Sequence, residues 1–293
     1  MGQRGARGDV EKPWRISLDS TYVDADQLVR GTHREQQLED PDVLGVRNLH
    51  YNWRLGIAYD FSTQFTAGIV LPYIYNRRWE DHNHIQYDEE GLGDTTVYGR
   101  YWIPQTDHTF NSYMEFSVAL PTGEANKLYL KGNGKYDYEK PYIVTGLGVV
   151  SPSVALGFDK SFVDGWLDGI TAYGRGQFTM TVGRNSAGYG PSDPLTINLG
   201  SAYSVKGLPD NYVAGFFTQA NFTLNKFGKE KRHGTPVGNT GGIWVDIEPG
   251  VWFSPNGGDL TFSVSVPVNV HYDVNSLQCF SPWYLNAGVS YRF

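Results

Sequence analysis

The chain has 293 residues, a net charge of −7, 15% aromatic residues and 35 glycines, with a mean hydropathy of −0.40. No stretch approaches the ~20 consecutive apolar residues of a membrane-spanning helix, and no basic run accompanies the negative charge, which excludes nucleic acid as an expected partner. A single cysteine, Cys279, excludes an internal disulfide framework and a cysteine-based metal site.

Residues Met1 to Lys12 are polar and lack the apolar core of a secretory signal. The expectation is a mature form in which residues 1–13 make a periplasmic N-terminal segment and residues 14–293 a single domain. From Trp14 onward, period-2 alternation and turn punctuation mark about twelve strands. In the first, Trp14, Ile16, Leu18 and Tyr22 alternate with Arg15, Ser17, Asp19 and Thr21. The second sets Tyr51 to Phe61 against Asn52, Arg54, Gly56, Ala58 and Asp60, and the third runs from Phe65 to Tyr73. In the fourth, Thr95, Val97, Tyr101 and Ile103 oppose Asp94, Thr96, Tyr98, Arg100 and Trp102; in the fifth, Met114 to Leu120 oppose Tyr113, Glu115 and Ser117. The sixth to ninth are marked by Val154–Phe158, Ile170–Val182, Leu195–Val205 and Phe216–Leu224.

The tenth and eleventh strands carry the clearest pattern. Ile243, Val245, Ile247, Val251 and Phe253 alternate with Trp244, Asp246, Glu248 and Trp252. Leu260 to Tyr272 then place apolar residues at seven successive alternate positions, against Thr261, Ser263, Ser265, Asn269 and His271. The last strand alternates from Trp283 to a terminal Phe293, about the 9–11 residues an outer-membrane strand needs. Such an ending resembles the terminal strand of bacterial outer-membrane barrels, in which the final Phe belongs to the signal read by the barrel-insertion machinery.

Connection lengths are an independent signal. Short turns near Ser62–Gln64, Pro104–His108, Val163–Trp166, Lys206–Asn211 and Ser254–Asp259 alternate with long connections at 30–47, 76–91, 122–151, 183–194, 225–240 and 273–282. That asymmetry predicts an all-β, transmembrane, antiparallel up-and-down β-barrel with short periplasmic turns and long extracellular loops. Both termini then lie on the periplasmic side. Aromatics gather at strand ends as interfacial belts should, with Trp14, Phe61, Phe65, Phe253, Tyr291 and Phe293 at one end and Tyr73, Tyr75, Tyr272 and Trp283 at the other. Pro121 reads as a strand end, and Pro72, Pro249 and Pro267 as bulges or kinks, because each removes a ladder donor.

Three motifs add a resemblance: Gly91-Leu-Gly-Asp94 leading to Arg100-Tyr101, Ala119-Leu-Pro-Thr-Gly123, and Gly132-Asn-Gly134 with Asp137. Over roughly residues 50–140 the chain resembles the outer-membrane barrel family named for the meta-pathway of phenol degradation. That resemblance implies uptake of small, often aromatic or hydrophobic compounds.

Catalytic signatures are missing: Gly132-Asn-Gly-Lys135 lacks the upstream glycine of a P-loop, and no Gly-x-Ser-x-Gly elbow occurs. His82 and His84, beside Asp81, Asp88, Glu89 and Glu90, could hold a divalent cation, although a hydrated loop explains them as well. Inward positions carry Arg15, Arg54, Arg100, Arg175, Lys206 and Arg292 against Asp19, Asp60, Asp94, Glu115, Asp159, Asp246 and Glu248, two signs in near balance. A ring of one sign would mark a strongly anion-selective pore. These charges could brace the lumen by pairing across it, or some could line a narrow path.

The candidate lumen lining is Arg15, Arg54, Asp60, Asp94, Arg100, Trp102, Glu115, Tyr173, Arg175, Trp244, Asp246, Glu248 and His271, with Tyr113 and Trp252 adding aromatic surface. The long 122–151 connection could fold inward as a constriction or lie over the mouth as a lid. The reading is a monomeric outer-membrane channel passing small solutes by passive diffusion, without cofactor or metal and without enzymatic activity. It would be embedded in outer-membrane lipid and lipopolysaccharide. Its rivals are a closed structural or adhesive barrel acting through its outer loops, and an outer-membrane enzyme.

Overall fold

A computed structural model describes residues 9–35, 46–80, 85–107, 109–125, 128–130, 136–138, 144–186, 188–209, 211–225, 231–232, 235–236, 241–255 and 258–293. Twelve antiparallel strands close into a barrel. They are β1 (Trp14–Ala25, prolonged by Gln27–Gly31), β2 (Val46–Asp60), β3 (Phe65–Glu80), and β4 in two pieces, Ile85–Leu92 and Thr95–Ile103. Next come β5 (Phe110–Leu120), β6 (Ser151–Ser161), β7 (Ile170–Thr179), β8 (Leu195–Ser204), β9 (Tyr212–Leu224) and β10 (Gly242–Pro255). The ring ends with β11, in two pieces (Leu260–Ser265 and Val268–Phe280), and β12 (Tyr284–Arg292). Each strand pairs with its chain neighbours, and β12 returns to β1 through Arg15↔Arg292 to Val23↔Tyr284, so the wall closes on itself.

Alternation gives the wall two faces of opposite character. Ile16, Leu18, Phe116, Leu156, Phe216 and Val264 stand exposed on the outside, whereas Arg15, Asp60, Arg100, Trp102, Glu115 and Glu248 are buried inside. A soluble protein would place these the other way round; a barrel in lipid places them thus because its solvent on the outside is hydrocarbon. Aromatic rings gather where the apolar band ends. At the end carrying both termini, Trp14 packs on Tyr59, Tyr59 on Phe61 and Phe61 on Phe65; at the other end Tyr22, Tyr51, Trp53, Tyr73 and Tyr75 form a continuous group. From Trp14 to Tyr22 at ~3.3 Å per residue and a tilt of ~40°, the band is about 20 Å tall, close to the ~25 Å expected of outer-membrane barrels.

The ends differ as the connection lengths predict, with one refinement. At the termini end the turns are tight: the Ser62 hydroxyl accepts from the N–H of Gln64 (3.2 Å) and of Phe65 (3.0 Å), and Asp107 accepts from the Thr109 N–H (2.8 Å). At the opposite end, connections 76–91 and 273–282 are largely strand. Pairing of β3 with β4 continues from Tyr73↔Leu92 to Glu80↔Ile85, and the segment Val268–Phe280 runs through 273–280. The wall there rises as hairpins above the rest.

The prolines explain the breaks. Pro72 of β3 has no N–H to give, and the facing strand β4 leaves the ladder there, with Gly93 donating to the Pro72 carbonyl at 2.8 Å. Leu92 and Thr95 both belong to the outer row, so Gly93 and Asp94 form a bulge between them. Pro267 lies at the break in its own strand, β11, while Pro249 sits within a continuous β10, and Pro121 directly follows the end of β5.

Candidate functional site

The inner face between β1 and β7 is hollowed into a half-open cavity of about 230 Å³. Arg54, Arg100, Arg175, Asp19 and Glu115 line it, together with Tyr98, Tyr113 and Val70. Arg100 and Glu115 are direct cross-strand partners of β4 and β5. Arg100 donates through Nε (2.9 Å) and Nη2 (2.6 Å) to one oxygen of Glu115, and Arg175 of β7 donates to the other at 2.7 Å. The Arg100 guanidinium also lies 4.5 Å over the Tyr113 ring. One carboxylate thus serves two cations.

The wall tolerates these side chains because the neighbouring strands present glycine. The Tyr98 ring lies over Gly68 and the Tyr113 ring over Gly157, where a Cβ would come within 2.7 Å and 2.3 Å of ring atoms. Tyr173 covers Gly200 in the same manner. Aromatic rings laid flat on facing glycines shield exposed backbone and fix ring direction.

Below the cavity, at the termini end, Asp60 gathers Arg15 (3.4 Å), Arg292 (3.2 Å), the Thr66 hydroxyl (2.6 Å) and the backbone N–H of Asp9 (3.1 Å). Trp102, 1% exposed, packs beside them against Tyr113 with ring centroids 4.9 Å apart. Across the ring, β10 carries Asp246 and Glu248. Glu248 accepts from Ser265 (2.6 Å), Asn221 (2.8 Å) and Asn286 (3.1 Å); Asp246 accepts from Asn269 (2.8 Å) and the Tyr284 hydroxyl (3.4 Å). Among the described residues neither acid on this wall has an ion-pair partner. The two walls therefore differ in pairing: Arg100 and Arg175 share Glu115, and Arg15 and Arg292 share Asp60, whereas Asp246 and Glu248 of β10 are held by amides and hydroxyls.

Above the cavity, part of the 122–151 connection turns inward. Asn76, on the inner row of β3, donates to the Val144 carbonyl at 3.4 Å, and Thr145 and Gly146 lie against Gly93, Asp94 and Gly123. The Asp94 carboxylate receives the N–H groups of Gly123 (3.1 Å) and Leu147 (2.7 Å), and the Thr122 hydroxyl donates to the Gly93 carbonyl at 2.9 Å. Asn185, from the 183–194 connection, donates to the Leu147 carbonyl at 3.2 Å. Two of the three glycine-rich motifs meet here, which sequence distance alone concealed. Gly132–Gly134 lies outside the described residues, and Asp137 falls in the short strand Tyr136–Tyr138.

Several expected lining residues are placed differently. Asp94 is on the inner side, but both its oxygens are taken up by loop backbone. His271 is exposed and stands opposite Val245 of the outer row, because a bulge at Val270 shifts the register between Val245 and Asp246. Trp244 packs against an inner apolar cluster of Val29, Val274 and Phe280 with Tyr272, instead of standing free. Lys206 pairs with Asp168 in an exposed turn and leaves the wall altogether. Asp159 is held by Asn111 at 2.8 Å. Of the suspected cation group, Asp81, His82 and His84 lie outside the described residues, and Asp88 is bound by Arg77 (2.6 Å). The bulge at Val270 leaves no mark in the sequence, because Tyr272 and Val274 prolong the apolar alternation of Val268 and Val270 although they face inward.

Fold and inner face together define the class: an outer-membrane-type β-barrel with a polar interior. No family model and no curated protein matches the sequence. Among solved structures, an outer-membrane channel from Pseudomonas putida F1 superimposes with a TM-score of 0.70, covering 100% of both chains at 10% identity. The β domain of the Bordetella autotransporter Brka does so with a TM-score of 0.56, covering 96% of this chain and 100% of its own at 12% identity. These likenesses establish the fold, and since one neighbour is a channel and the other an autotransporter domain, the fold leaves the role to the interior.

Proposed function

We propose that the protein is a monomeric outer-membrane channel that passes small solutes by passive diffusion through the lumen of its barrel. The observation that carries this reading is a closed ring with an apolar exterior around a polar cavity on the β1–β7 side. Arg54, Arg100, Glu115 and Arg175 line the path, with Tyr98 and Tyr113 as its ring surfaces; Tyr173 lies on the same inner face. Asp246 and Glu248 face a lining in which arginines and carboxylates are interleaved, and this near balance of signs favours weak ion selectivity over a ring of one charge. Resemblance to the phenol meta-pathway barrels favours aromatic or hydrophobic compounds as solutes. On this reading residues 1–13 and the short turns are periplasmic, lipopolysaccharide surrounds the long-loop end, and Phe293 serves insertion.

A second reading is favoured by the inward segment Val144–Gly148 and by the bonding of so many inner charges: a closed structural or adhesive barrel that works through its outer loops. Single-channel recording of the refolded protein in planar bilayers separates them. Steady openings with weak ion selectivity support the channel; silence from a folded barrel rejects it in favour of the closed one.

A further inference from the structure

The cavity beside β2 has unmet chemistry. Its charged lining is three arginines (Arg54, Arg100, Arg175) against two carboxylates (Asp19, Glu115), one positive charge in excess. Arg100 and Arg175 share Glu115. Arg54 faces Asp19 across the β1–β2 register, yet no ion pair joins them, and the Nε of Arg54 is buried without a hydrogen-bond partner. Arg54 also lines the cavity with no hydrogen bond or ion pair to any described residue, so its terminal nitrogens are open to a bound anion.

We propose that this cavity binds a small planar monocarboxylate, with the Arg54 guanidinium as its principal anchor. The proposal deepens the channel reading and rests on it for its biological sense. A planar fork of N–H donors matches a carboxylate in two parallel hydrogen bonds. The excess of one positive charge suits a monoanion better than a phosphate or sulfate carrying two. Tyr98 and Val70 supply the apolar side of the cavity, and its volume has room for a single aromatic ring with its carboxylate. Asp19 works against the anion and sets a limit on its affinity.

The test is calorimetric titration of the refolded full chain in detergent at low salt, with benzoate as probe and benzamide as its neutral counterpart. Benzoate is expected to bind at least tenfold more tightly than benzamide. Arg54→Gln should weaken benzoate at least tenfold, Arg54→Lys should keep part of the affinity, and Asp19→Asn should strengthen it, all in barrels with unchanged heat-modifiable gel mobility. No benzoate binding, equal binding of the two probes, or indifference to Arg54→Gln in a folded barrel would overturn the site. Benzoate binding without any conductance in bilayers would keep the site and reject the channel.

Discussion

Asp94 accepts a 2.7 Å hydrogen bond from the backbone N–H of Leu147, fifty-three residues further along the chain. That bond, with its companion from Gly123, fixes the inward segment of the 122–151 connection to a bulge in the barrel wall. The bulge exists because Pro72 on the facing strand offers no N–H. Loss of a ladder donor has thus become the fixing point of an inward-turned loop segment.

Removing the Asp94 carboxylate should release that segment. In Asp94→Ala, mean single-channel conductance is expected to rise, with a stability loss of about 1–3 kcal/mol from two unsatisfied amides in a half-buried place. Conductance equal to that of the unaltered protein would mean that the segment does not narrow the path. Bilayer recording and urea unfolding in micelles supply the two readouts.

Glu115 neutralises two guanidinium groups at once, so its removal should cost more than removal of either arginine. Glu115→Gln leaves Arg100 and Arg175 facing each other in a buried place, and a loss of about 3–5 kcal/mol is expected. Arg175→Ala keeps the Arg100–Glu115 pair and should cost less. Selectivity should also shift toward anions in Glu115→Gln, read from reversal potentials in a salt gradient. A smaller stability loss for Glu115→Gln than for Arg175→Ala would contradict the shared-carboxylate arrangement.

The two faces can be told apart by one kind of substitution. Leu156→Arg places a charge on the exposed outer surface of β6 and is expected to cost about 2–4 kcal/mol in lipid. Gln177→Arg, on the cavity lining of β7, should stay within about 0.5 kcal/mol of the parent because water reaches it. Equal costs for the two would mean the inside and outside are wrongly assigned.

A methyl group at Gly157 would meet the Tyr113 ring at 2.3 Å. Gly157→Ala should therefore push Tyr113 and the overlying Arg100 into the cavity. The expected results are a destabilisation of about 1–3 kcal/mol and reduced conductance. The double variant Gly157→Ala with Tyr113→Ala should recover most of the conductance, and its failure to do so would place the narrowing elsewhere.

The sequence by itself determined the strand number, the faces and the closure. Period-2 alternation is a local property: wherever lipid meets one side of a strand and water the other, each residue's face follows from its parity, as Ile16 against Arg15 or Leu156 against Ala155 illustrates. It also determined which end is short-looped, because turn length is written along the chain. What only the tertiary structure decided depends on distant segments meeting. His271 changes face because one bulge at Val270 reverses the parity that follows it. Asp94 and Trp244 are taken up by the 122–147 segment and by the Val29–Val274–Phe280 cluster, which composition cannot anticipate. Arg54 joins no ion pair among the described residues while Arg100 and Arg175 share Glu115, since pairing inside a barrel is settled by register across strands and by which glycine lets which ring lie down.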